Sequence, residues 1–138
     1  MDTISVRGLE LLKSFEKCSL TPIKNSLGSY YIGYRHITNS KQKPITQEEA
    51  DKLLLEDCQL YADYLDKQDI YLTPNQRDAL IIFGFDCKIF GLSRIIMDSF
   101  HETKLLSENL LKYVHSLDGR SSEELYQRRV AERKLFLS

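Results

Sequence analysis

The sequence predicts an α+β chain, mostly helical, in which a small N-terminal sheet lobe is joined by a long helix to a helical lobe. Three observations carry that expectation. A Tyr-rich stretch with turn residues occupies the region from Cys18 to Thr38. Helix starts of capping-box form stand at Thr46, Thr73 and Ser121. Apolar residues recur at helical spacing on both sides of the Tyr-rich stretch.

A chain of 138 residues suits one domain with a real core. We expect a single unit, 1–138, with residues 1–45 forming the first helix and sheet lobe and 46–138 the connecting helix and helical lobe.

Val6, Leu9, Leu12 and Phe15, with Leu11, form an apolar stripe on a first helix from Ser5 to about Lys17. Glu16 falls at its C-terminal end, where the negative end of the helix dipole opposes a carboxylate. Tyr30, Tyr31, Ile32 and Tyr34 then favour strand, and Asn25-Ser and Gly28-Ser read as turns, so two or three short antiparallel strands follow. Thr46 to Glu49 opens a helix running to about Asp66, with Ala50, Leu53, Leu54, Cys58, Tyr61 and Leu65 on one face. Thr73-Pro-Asn-Gln76 opens a central helix, Pro at its first position, with Ala79, Leu80, Ile82 and Phe83 making it apolar all round. Gly84 and Gly91 punctuate it. Ser93 to Phe100 and Glu102 to Ser116 read as two more helices, and Ser121 to Glu124 as a third capping box opening the last.

A net charge of −1 gives no global field toward nucleic acid, and no nucleic-acid partner is expected. Charge is nevertheless concentrated between Arg120 and Lys134. That run reads as the solvated surface of the last helix, with a locally basic face as the alternative. Cys18, Cys58 and Cys87 have no CxxC spacing, so buried free thiols are expected, without disulfide, metal or cofactor. Met1 to Val6 has no apolar core or preceding basic run, and no apolar window is long enough to span a membrane. A cytoplasmic protein as synthesised is the expectation, its route to any cell wall left open.

Phe15-Glu-Lys-Cys18 through Gly28-Ser-Tyr-Tyr-Ile-Gly-Tyr-Arg-His36 resembles the active-site signature of the phage-type lysozymes, the family's G-x-x-T-I-G-Y-G-H included. Ile45-Thr-Gln-Glu-Glu-Ala-Asp51 is similar to its I-T-x-x-E-A-D. Leu72-Thr-Pro-Asn-Gln-Arg-Asp-Ala-Leu80 is similar to its L-T-x-N-Q-x-D-A-L, and Phe83-Gly-Phe85 to its S-F-x-F-N run. Leu125 to Glu132 with Leu135-Phe136 resembles L-x-x-R-R-x-A-E…L-F. Four fragments in order, from Gly8 to Leu137, imply a lysozyme-like fold and peptidoglycan as ligand.

The resemblance makes Glu16 the general acid. The family has Asp nine residues after that Glu and Thr fifteen after it; here Asn25 and Tyr31 stand in those places. Inverting hydrolysis uses a second carboxylate roughly 6.5–9.5 Å from the acid to activate water. An amide cannot accept that proton, although it could orient a water or bind an N-acetyl group. Tyr31 either fills the water site or packs in the sheet. Arg35 replaces the Gly of Y-G-H: it either sits at ordinary backbone angles or projects over the cleft, where it could pair with Glu16. His36 is expected to brace the site as a hydrogen-bonded core residue. His101 and His115 read as ordinary surface residues, and Cys18 as a packing thiol.

The expected function is therefore a lysozyme-like protein with a degenerate site. It would be a pseudoenzyme and a monomer, binding peptidoglycan or a protein partner with little or no muramidase activity. The alternative is an active endolysin, either a variant muramidase or a lytic transglycosylase using Glu16 alone.

Overall fold

The computed structural model describes residues 3–116 and 118–138; the first two positions of the expected signal-free N-terminus lie outside them. Helix α1 (Val6–Phe15) begins where Ser5 accepts the Gly8 amide. The Ser5 amide also donates to Asp78 at 3.2 Å, tying α1 to the central helix. Of the expected stripe, Leu12 is buried and Leu9, Leu11 and Phe15 pack partly against the core, but Val6 is exposed. Its side chain faces solvent between the buried Ile4 and Gly8.

Three antiparallel strands follow in the order β1 (Ser19–Lys24), β2 (Tyr30–Gly33), β3 (His36–Thr38). The sheet meets α2 (Gln47–Asp66), whose buried face is Ala50, Leu54, Cys58, Tyr61, Ala62 and Leu65. The α2 start is a complete capping box between Thr46 and Glu49.

Helix α3 (Pro74–Asp98) is the hub of the core, with every residue from Asp78 to Asp86 buried. Its apolar character all round is what a helix enclosed by others requires. Gly84 matters here because a Cβ would lie 2.9 Å from the Tyr61 ring, so α2 and α3 cross at glycine distance. The expected break at the glycines is misplaced. Both glycines are helical, and α3 is instead kinked at Lys88 (φ 65°, ψ −179°) before continuing to Asp98. The segment read as Ser93 to Phe100 is thus the second half of α3. The helix expected to run from Glu102 to Ser116 is only α4 (Thr103–Asn109) plus a 3₁₀ turn, Leu110–Lys112.

Helix α5 (Ser122–Phe136) packs along α3. Its third capping box is half present: Ser121 accepts the Glu124 amide, with no reciprocal bond from Glu124. Among the described residues no helix is long and apolar enough to cross a membrane.

Candidate active site

The last helix overturns the solvated-surface reading. Its inward stripe is Leu125, Arg128, Arg129, Glu132, Leu135 and Phe136. Arg129 and Glu132 are 0% exposed and Arg128 5%. Apolar residues stand at both ends of the stripe and charges in its middle, so the spacing is that of a buried face. The charges are buried because they answer carboxylates on α1 and α3.

Glu16 is the first of these. It is the C-cap of α1 in extended conformation, 9% exposed. Arg128 Nη1 donates to its Oε1 at 2.6 Å. The same guanidinium stacks 4.8 Å from the Phe15 ring, and its Nε reaches Glu132 Oε2 at 3.3 Å.

Asp86 is the second carboxylate, placed where the family's S-F-x-F-N run has Asn. Arg120 donates to its Oδ1 at 2.6 Å and Arg129 to its Oδ2. Burial pushes the Asp86 carboxyl up, but Arg128, Arg129 and Arg120 outweigh it and hold it at about 2. Glu132 goes the other way. Complete burial raises it to about 7 against the pull of Arg129 and Arg128.

Arg35 joins the two carboxylates. Its Nη1 lies 3.5 Å from Glu16 Oε1 and 3.5 Å from Asp86 Oδ1. The expected pair with Glu16 is present, but the backbone is not ordinary: φ is 59°, the left-handed region suited to the Gly it replaces. Such residues cost about 1–3 kcal/mol and gather at functional sites. Lys88 at the α3 kink is a second case.

Asn25 is used by the β1–β2 turn. Its Oδ1 accepts the amides of Leu27 and Ser29, each at 3.0 Å, and its own amide donates to Ser29 O at 2.7 Å. This is an Asx turn, and it occupies the side-chain oxygen. Tyr31 is half-buried on β2, paired with Ile23 and Ile37. His36 Nδ1 lies 2.8 Å from Asp57 Oδ2, which ties β3 to α2; the ring is hydrogen-bonded but partly exposed, not the core residue expected. Cys18 is exposed, not a buried packing thiol, because it lies beyond the end of α1; Cys58 is buried and Cys87 partly so, and all three are free. His101 and His115 are exposed.

The structure therefore brings Glu16 and Arg35 together and leaves Asn25 committed to a turn. Sequence reasoning missed Arg128, Asp86 and Glu132 as parts of the site. The signal was available in the 3.6-residue spacing of Leu125, Arg128, Glu132 and Leu135, and in an Asp at the end of an otherwise apolar run.

A small sheet beside an acid at the end of the first helix, backed by arginines from the last, defines a lysozyme-fold protein. The fold is shared with solved structures: the muramidase domain of SpmX from Asticaccaulis excentricus superposes with a TM-score of 0.86 at 27% identity, covering 100% of this chain and 99% of that one. The Phage lysozyme family model matches residues 13–132, and the chain belongs to that family. It is 31% identical to the endolysin of Bacillus phage PZA over 98% of this chain and 55% of that relative. It is 30% identical to the endolysin of Acyrthosiphon pisum secondary endosymbiont phage 1, over 98% of both. The chain spans about half the length of the Bacillus phage endolysins it matches.

Proposed function

We propose that the chain binds the glycan strand of peptidoglycan in the cleft beside Glu16, as a monomer, with water-dependent muramidase turnover lost or severely reduced. Membership of the phage lysozyme family supplies the ligand class. The observation that carries the loss of turnover is Asn25. The position of the second carboxylate holds an amide whose oxygen is spent on the Leu27 and Ser29 amides. A group without a proton-accepting charge cannot activate water, and losing such stabilisation costs several kcal/mol at about 1.4 kcal/mol per tenfold in rate. Asp86 does not replace it, since a carboxyl buried and held near 2 by arginines is a poor base at neutral pH.

One observation favours a second reading. Glu16 is kept while the two positions that would handle water hold Asn25, committed to a turn, and Tyr31, half-buried in the sheet. That combination suits a lytic transglycosylase, in which the substrate's own hydroxyl displaces the bond and no activated water is required.

Sedimentation with purified insoluble peptidoglycan, run beside a turbidity assay, tests both readings. The first expects co-sedimentation without clearing. Clearing that disappears in Glu16→Gln overturns it, and anhydromuramic ends among the products then assign transglycosylation. Clearing that survives Glu16→Gln removes Glu16 from the chemistry altogether.

A further inference from the structure

Two residues of this cleft hold backbone angles that favour glycine, and both are cations. Arg35 stands at φ 59° and Lys88 at φ 65°. They come from different elements, the β2–β3 turn and the kink of α3, yet converge on one ring. Arg35 Cζ lies 5.8 Å, and Lys88 Nζ 5.1 Å, from the centroid of Phe85. Like charges so placed repel, and the Lys88 ammonium is held below its ordinary range first by burial and then by Arg35.

Neither cation is saturated by the protein. Arg128 and Arg120 approach their carboxylates to 2.6 Å, whereas Arg35 stands at 3.5 Å from Glu16 and Asp86 alike, through a single nitrogen. Among the described residues, Arg35 Nε and Nη2 have no recorded hydrogen bond. Lys88 Nζ donates to the Phe85 carbonyl at 2.9 Å and, among the described residues, makes no ion pair within 4 Å. Around the cleft, Arg35, Lys88, Arg120, Arg128 and Arg129 face Glu16, Asp57, Asp86, Asp118 and Glu132. The carboxylates nearest the arginines are taken up by Arg120, Arg128 and Arg129, and the donors to spare sit on Arg35 and Lys88. Arg35 is also a quarter exposed, and Lys88 is exposed as a residue while its ammonium, held on the Phe85 carbonyl, is partly withdrawn from water; Arg128 and Arg129 are buried.

We propose that Arg35 and Lys88 form an anion-binding pair at the open side of the cleft, taking a free carboxylate carried on the glycan. On glycan strands whose stem peptides have been removed, the lactyl carboxylate of muramic acid has that chemistry. A carboxylate offers one acceptor oxygen to each cation, and the Phe85 ring holds both cations in place between ligands. The proposal rests on the cleft's being a glycan site and adds which glycans it prefers.

Titration calorimetry of the full chain with two probes tests it. One is a GlcNAc–MurNAc tetrasaccharide with free lactyl carboxylates; the other is the same sugar with those groups converted to methylamides. We expect the free acid to bind about tenfold more tightly at low salt, as one charge-assisted hydrogen bond allows, and the advantage to shrink as salt screens it. In the double variant Arg35→Gly and Lys88→Gly the preference should fall to within about twofold. Glycine suits both backbones, and a thermal melt confirms that the variant is folded. Equal binding of both probes by the wild type, or an unchanged preference in the double variant, overturns the anion pair and leaves the glycan reading standing. Binding of neither probe overturns both.

Discussion

Arg128 Nη1 and Glu16 Oε1 meet at 2.6 Å across 112 residues of sequence, so the last helix supplies the closest partner of the acid at the end of the first. The same guanidinium serves Glu132 and the Ile82 carbonyl, and neither end of this pair reaches bulk water freely. A buried pair of this kind gives little net stability but is expensive to break from one side.

Arg128→Met should therefore destabilise the fold by about 3–5 kcal/mol, because it takes the closest cation from buried Glu16 and leaves Glu132 with Arg129 alone. Urea unfolding followed by far-UV circular dichroism reads the loss. A change within about 0.5 kcal/mol, the range of ordinary surface substitutions, contradicts the buried network.

Arg35 predicts the opposite sign. Its ion contacts are long, and its backbone is left-handed, where a non-glycine residue costs about 1–2 kcal/mol. Arg35→Gly should leave the urea midpoint unchanged or raise it. A marked fall means that the 3.5 Å contacts are worth more than the strain they accompany.

Asn25 separates a structural role from a chemical one. Asn25→Ala removes the acceptor of two turn amides and should cost about 1–2 kcal/mol. Asn25→Asp keeps both acceptors and should melt close to wild type. Combined with Tyr31→Thr, it should raise peptidoglycan clearing above that of the parent chain in a turbidity assay. If the double variant is folded and gains nothing, the cleft has diverged beyond these two positions.

The pH dependence of stability has two limbs of opposite sign. Glu132 is raised from 4.5 to about 7, so between those values the folded chain keeps a proton the unfolded chain has released, and stability falls as pH rises through that window. Burial pushes Asp86 up, but its arginines hold it at about 2 against 3.8. The stability it contributes is present above 3.8 and lost as pH falls toward 2. Urea midpoints measured from pH 3 to 8 in Glu132→Gln should lose the fall between 4.5 and 7 and keep the acid limb. An unchanged fall places that proton elsewhere.

The fold was legible in the sequence wherever a local rule decides. Thr46 and Thr73 begin helices because side-chain oxygens cap free amides, and both starts stand where expected. The Tyr-rich stretch pairs into a sheet for the same local reasons. The α3 kink was not legible, since glycine suggested a break while Lys88, a residue that resists φ 65°, carries it. The site was half legible. Glu16 and Arg35 lie nineteen residues apart and were read together, but Arg128, Asp86 and Glu132 are joined to them only by tertiary packing. Charge in a short C-terminal run looks solvated until the stripe it falls on is seen to be the buried one.

The central claim is that this phage lysozyme family member holds glycan at Glu16 without hydrolysing it through activated water. Release of new reducing ends from purified peptidoglycan, compared between the wild-type chain and Glu16→Gln, tests it most directly. The account predicts equal, background-level release from the two proteins while the wild type still co-sediments with the wall. Reducing ends released by the wild type and abolished in Glu16→Gln would contradict it.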